Sequence, residues 1–204
     1  MTSQHCIETF QQCIRDYHTE DNVDALLRNP YEFQSVESLL YHKSWIDTVQ
    51  WHLEDIIRNP SIDPVVALHI KRRIDASNQH RTDMVEKIDD WFLQQYNHTF
   101  LSADATLNTE SPAWAIDRLS ILELKIFHMA IEASRQNATT EHRERCLQKL
   151  AILHDQREDL SLAINQLIDD IAAGNKKMKV YRQMKMYNDA SLNPVLYHQK
   201  VANL

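Results

Sequence analysis

The sequence predicts an all-α protein, and three observations carry that expectation. The chain of 204 residues contains one glycine, Gly174, and five prolines. Ordinary usage is about 7% and 5%, so the punctuation of β-turns and phosphate-cradling loops is missing. The prolines, at 30, 60, 64, 112 and 194, separate long uninterrupted segments. Finally, 43% apolar residues and a mean hydropathy of −0.50 suit a globule with a core rather than a disordered chain. Sandwiches, barrels, Rossmann units and P-loops are disfavoured together.

Helices are expected over 3–28, 33–58, 64–96, 112–136, 140–173 and 176–187. The amino terminus has no basic n-region and no apolar h-region, so no secretory signal is expected. In the first helix Cys6 and Cys13 stand about 10 Å apart along the axis, too far to bridge. With Cys146 they make an odd set of three, which fits a reduced, cytoplasmic protein. The second helix begins after Pro30. The third starts at Asp63-Pro64 and the fourth at Ser111-Pro112, each a capping oxygen ahead of a proline in the first turn. Between them Asn97 to Glu110 is a long polar loop containing Phe100, Leu101 and Leu107. The fifth helix closes at Ala172-Ala173-Gly174-Asn175, a pattern for a left-handed glycine cap. No window reaches the ~18 consecutive apolar residues of a membrane span.

These elements describe a single domain, 1–204. Hairpin one covers about 33–96, a linker 97–111, hairpin two about 112–173, and a tail 175–204. A faint repeat supports the pairing, Ile46-Asp47 recurring as Ile116-Asp117 and Arg81-Thr82-Asp83 as Arg157-Glu158-Asp159. Two αα-hairpins form an antiparallel four-helix-bundle core, with the first helix and a short basic C-terminal helix as additions.

On a wheel of 100° per residue each long helix has an apolar stripe broken by one polar residue. In the second helix the stripe is Leu39, Ile46, Val49, Leu53 and Ile56, with His42 central. In the third it is Ile70, Ile74, Met84, Ile88 and Trp91, around Arg81. The fourth has Ile116, Leu119, Ile126, Phe127 and Ala130 around Glu123. The fifth has Leu150, Leu153, Leu160, Ile164 and Ile168 around Arg157. Counted from turns near 62 and 138, His42 faces Arg81 and Glu123 faces Arg157. Buried arginines need partners, which Glu123 supplies for one and the flanking acids Asp47, Glu54 and Asp117 supply by snorkelling inward. The leading expectation is a structural ion-pair network that fixes bundle register. The alternative is an anion site for phosphate or carboxylate built from His42, Arg81 and Arg157.

Other chemistry has thinner support. Trp51-His52-Leu53-Glu54-Asp55 is a dense polar-aromatic cluster, but His52 and Glu54 leave different sides of a helix and cannot serve one ion together. Neither a pair of Glu-x-x-His motifs nor His-Glu-x-x-His occurs, so no metal and no cofactor is expected. His154-Asp155 and Glu86-x-x-Asp89 are fragments of hydrolase and pyrophosphatase patterns without their companions. No nucleophile elbow is present, and without glycine such a turn would be strained.

The tail differs from the body. The whole chain carries a net charge of −7, which disfavours nucleic acid as a partner. Lys176, Lys177, Lys179, Arg182 and Lys185 form a basic patch on an expected amphipathic helix with the stripe Val180, Met184 and Tyr187. The leading expectation is that this stripe packs on the acidic bundle and its cations pair there. The alternative is a basic-aromatic patch for RNA, anionic lipid or a phosphorylated ligand.

His42-Lys43-Ser44-Trp45-Ile46-Asp47, Trp51 to Asp55, Lys71 to Arg81, Ile116 to Leu122 and Tyr181 to Asp189 together resemble a bacterial domain-of-unknown-function family, number 4254. The resemblance covers roughly residues 35–197 and departs at Ala190, where the family pattern has proline. It implies a cytoplasmic bacterial protein forming one helical unit, and it supplies no catalytic residue. Arg73-Ile74-Asp75 through Arg81 also has a passing likeness to the first helix of all-α chorismate mutases, without the lysine and glutamate those enzymes need. Two function classes follow. One is a non-catalytic interaction or assembly protein, with a protein partner or a second copy of itself. The other is a binder of, or an enzyme acting on, a small anionic ligand at the level of His42, Arg81, Glu123 and Arg157, assisted by the His52 cluster or the basic tail.

Overall fold

The computed structural model describes residues 1–186 and 189–197. Its long helices are α1 (Ser3–Glu20), α2 (Val36–Ile57), α3 (Pro64–Tyr96), α4 (Pro112–Ser134) and α5 (Thr140–Ala172). Every start has a side-chain cap. Thr2, Ser35, Ser111 and Thr139 accept from the backbone N–H of His5, Ser38, Trp114 and His142, and Asp63 accepts from both Val65 and Val66. Pro64 and Pro112 open their helices as the sequence predicts. No described helix is long and apolar enough to cross a membrane.

The fold is an all-α bundle in which α2 packs on α3 and α4 on α5. The first helix is more than a flank. It lies against α2, α4 and α5 and contributes Cys6, Phe10, Cys13, Ile14 and Tyr17 to the interior. It stops at Glu20 rather than 28 because Asp21 turns left-handed (φ 47°, ψ 48°) and Asn22 captures the backbone of Asp24 at 2.9 Å. Asp and Asn tolerate that conformation and compete for backbone groups. The freed segment then lays Ala25, Leu27 and Tyr31 over Cys13, Tyr17, Tyr41 and Trp45. The largest cluster joins α1–α5 through Phe10, Leu40, Ile88, Phe92, Ile116, Leu119 and Ile168.

Past α5 the expected cap is present as a full Schellman arrangement. Asn175 N–H donates to Asp170 O (2.8 Å) and Gly174 N–H to Ile171 O (3.1 Å), with Gly174 at φ 76°. This turn also holds the long loop 97–111. Ser102 N–H donates to Gly174 O, and Thr106 pairs with Asn175 and Lys177 through backbone bonds of 2.9–3.0 Å.

Of the helix expected over 176–187, the described residues 176–185 form none. Residues 177–185 form neither helix nor strand, and from Arg182 to Lys185 they lie against α3 as a strap. Arg182 contacts Glu86 and Asp90, Gln183 N–H donates to Glu86 Oε1 at 3.0 Å, and Lys185 Nζ donates to Asn78 O and Thr82 Oγ1 at 3.0 and 2.7 Å. Three extended residues span about 10 Å, against about 4.5 Å in a helix. Arg182 and Lys185 thereby meet acceptors one to two turns apart on α3. Tyr187, the third member of the expected stripe, lies outside the described residues.

A Cβ at Gly174 would stand 2.1 Å from Phe100 O, in backbone that side chains rarely adopt. Gly174→Ala is therefore expected to destabilise the protein by about 1–3 kcal/mol, read as a lower urea midpoint. An unchanged midpoint would mean that loop 97–111 does not depend on this turn.

Candidate functional site

The centre of the bundle holds four charges. Lys43 of α2 has no exposed surface, and its ammonium lies 2.5 Å from Asp47 Oδ2, 2.8 Å from Asp117 Oδ1 and 3.2 Å from Asp117 O. An ammonium has three N–H bonds, so these acceptors exhaust it. Arg81 of α3 forks onto Asp117 of α4, with Nε to Oδ1 and the terminal nitrogen to Oδ2 both 2.9 Å. It also stands 3.7 Å from Asp47, which accepts a 2.6 Å bond from Ser120. Two cations and two carboxylates make the set neutral. Burial by itself would raise the Asp117 carboxyl, but Lys43 and Arg81 outweigh it and hold it down to about 2. Loss of water pushes Asp47 upward against the pull of Lys43.

The four residues expected at one level separate here. Arg81 joins the central quartet. Glu123 and Arg157 face one another across hairpin two at 3.8 Å, and Glu123 also accepts from Gln11 of α1 at 2.9 Å. Burial raises the Glu123 carboxyl, with Gln11 and Arg157 opposing. His42 meets neither group. Its basicity is lowered first by burial and then by Lys87 and His80 of α3. The register of hairpin one explains this. Gln50 bonds Asn78 at 2.9 Å and Asp47 approaches Arg81, which leaves His42 about one turn beyond Arg81.

The apolar stripe of α2 also needs correction. Its buried residues are Leu40, Tyr41, Lys43, Ser44, Trp45, Asp47, Thr48 and Leu53, while Ile56 is exposed. This helix touches α1, α3 and α4, so no single stripe describes it. Lys43, one position on from His42, is the central group. Asp47 and Asp117 are enclosed members of the network rather than flanking acids that reach inward. Glu54 pairs with Arg58 at the surface, at 2.5 Å.

Beside the quartet lies a cleft of about 340 Å³ lined by Asp47, Gln50, Trp51, Glu54, Asp55, Arg58, Arg81, Ile121 and Leu124. Its lining carries three acids and two bases, and both bases already hold carboxylates. Of the tail cations, Arg182 and Lys185 are engaged on α3, Lys176 is 3.8 Å from Asp170, and Lys179 sits over the Tyr181 ring. Lys177 donates its backbone N–H to Thr106 O.

A third cluster was not legible in the sequence. His18, His52 and His128, from α1, α2 and α4, bring a ring nitrogen each to within 4.8 Å of one another. Trp51 stacks on His128 at 4.6 Å and Tyr17 on His52 at 5.2 Å. Cys146, His142 and Glu132 also meet, but the thiol and the carboxylate both address His142 Nε2, at 3.4 and 3.0 Å. A nucleophile–base–acid relay uses the two different ring nitrogens, so this contact is not one. Asp89 of α3 is enclosed near Ser111, Trp114 and the strap, and burial pushes its carboxyl up to about 6.

Residues 37–180 match the model of a family described as "Protein of unknown function (DUF4254)". The whole quartet lies within that span. No curated protein and no solved structure matches the chain.

The raised Asp89 carboxyl has a stability consequence whose sign is fixed. Its folded value, near 6, exceeds the ordinary 3.8, so the native state binds the proton first and loses stability as pH rises through that window. The stability of Asp89→Asn relative to the parent should therefore fall by about 1–3 kcal/mol in going from pH 7 to below 4. Urea titrations across this range measure it, and a flat difference would remove Asp89 from the account.

Proposed function

The chain belongs to the DUF4254 family of proteins of unknown function, and we propose that it acts as a non-catalytic interaction or assembly protein. In this reading it is one helical unit, with a protein partner or a second copy of itself, in the bacterial cytoplasm. The observation that carries the reading is that Lys43 is fully enclosed with its three N–H bonds facing acceptors of the protein itself, while Arg81 is already forked onto Asp117. A site for an anionic ligand needs donors that the ligand can take up; Lys43 has none left, and Arg81 already holds a carboxylate. Such a quartet favours one register of α2, α3 and α4 over its neighbours, because sliding any helix by a turn strands a buried charge. Cys6 and Cys13 are enclosed free thiols, Cys6 pushed up to about 12 by burial, which suits a reducing compartment.

A second reading is favoured by one specific feature. The Arg81 side chain keeps 29% of its surface exposed and lines the cleft together with Trp51. A small carboxylate or phosphate could reach it there by competing with Asp117.

Two measurements separate the readings. Lys43→Met leaves two buried carboxylates sharing Arg81 and should cost about 3–5 kcal/mol, whereas Lys43→Met with Asp47→Asn should recover most of the loss. In a thermal-shift series with phosphorylated and carboxylated metabolites, no anion should stabilise the parent. An anion at ~100 times its Kd would add about 2.7 kcal/mol. Stabilisation that Arg81→Met abolishes would replace the first reading with the second.

A further inference from the structure

We propose that His18, His52 and His128 form a binding site for a divalent transition-metal ion, Zn2+ in the first place, which clamps α1 to α2 and α4. His18 Nδ1 lies 2.6 Å from Ile14 O, and a carbonyl can only accept, so Nδ1 carries the hydrogen. In the neutral ring Nε2 is then a bare lone pair. A backbone carbonyl on the far nitrogen is the usual second-shell support of a ligating histidine. His18 Nε2 stands 3.3 Å from His52 Nε2, and two nitrogens held 2.0–2.1 Å from a tetrahedral ion are separated by about 3.3 Å.

His128 supplies the third observation. Its Nε2 is buried and has no hydrogen-bond partner. A ring-to-ring hydrogen bond from His52 to His18 would satisfy that pair and still leave His128 Nε2 with nothing, whereas one cation serves three lone pairs at once. The rings are also held in place. Trp51 stacks on His128 with an interplanar angle of 3°, Tyr17 on His52 at 19°, and Phe127 lies 4.4 Å from the His18 ring.

The chemistry of the donors selects the ion. Three imidazoles suit Zn2+ and its neighbours Cu2+, Ni2+ and Fe2+, and they disfavour Mg2+ and Ca2+, which take oxygen. Three protein ligands leave the fourth position of a tetrahedron to water or to another side chain. Asp21 points the same way, its carboxylate 3.7 Å from His52 Nε2 and 61% exposed. Its left-handed backbone at the end of α1 places it there. His52 retains 22% of its surface, so an ion has a path in from this side. The proposal stands apart from the quartet and from the interaction reading built on it.

The test uses the full chain without a histidine tag, stripped with a chelator. Zn2+ at ~100 times its Kd should raise the melting temperature by roughly 5 °C or more. Co2+ should give the strong visible absorption of a tetrahedral nitrogen site. His52→Gln and His128→Gln should each weaken Zn2+ at least ~100-fold, while His69→Gln on the exposed face of α3 leaves it unchanged. Zn2+ affinity equal in His128→Gln and the parent would overturn the proposal, since the ion would then sit on surface histidines. Should the variants fail to fold, the parent still decides. A Co2+ spectrum no different from that of the ion in water would overturn the site, and a tetrahedral spectrum together with the Zn2+ melting shift would support it.

Discussion

The structure depends on one enclosed ammonium. Lys43 is closed off from solvent between Asp47, one turn along its own helix, and Asp117 of α4, while Arg81 of α3 completes the balance. Taking a lone charge of this kind out of water is prohibitive, and attraction recovers the loss only when geometry and hydrogen bonding are close to complete. That condition is what makes the interaction a constraint. Hydrophobic seams between helices tolerate sliding by a turn, because one leucine resembles another, but a three-donor ammonium with three placed acceptors does not. The register of α2 against α3, and of both against α4, is therefore written in charges, and the surrounding Leu40, Ile88, Ile116 and Leu119 fill in around it.

The second consequence concerns α1. Tied to the rest by Gln11 on Glu123 and by His18 beside His52 and His128, it is an integral wall of the bundle. Glu123 keeps one oxygen without a hydrogen bond and Arg157 approaches only to 3.8 Å. The quartet has the same gap at Asp47, whose Oδ1 has no hydrogen bond and stands 3.7 Å from Arg81.

How much of this the sequence discloses depends on how local each cause is. Helix starts at Asp63-Pro64 and Ser111-Pro112, and the stop at Gly174, are decided by residues next to them, and they are readable. So is the Glu123–Arg157 pairing, because hairpin two folds back on itself and its partners are a short count from the turn. The misreading of α2 has the opposite cause. A wheel assumes one buried face, and a helix with neighbours on three sides has none, so Ile46 and Val49 drew the stripe one residue away from Lys43. The tail misled for a related reason. Val180 and Met184 have helical spacing, but acceptors on α3 set the distance that Arg182 and Lys185 must span. The histidines at 18, 52 and 128 share no spacing at all, and only the docking of three helices gathers them.

A general point follows about where chemistry can enter such a bundle. A buried polar group with every valence filled is a fastener, since a newcomer must first displace a partner of equal quality. Free energy for a ligand is available where valences remain open. By that measure Lys43, the fully enclosed charge of the interior, is the least available. The ring of His128, whose buried Nε2 has no hydrogen-bond partner, set beside His18 and His52, is the better anchor. Charge marks where this chain is held together, and unsatisfied neutral donors mark where it can be addressed.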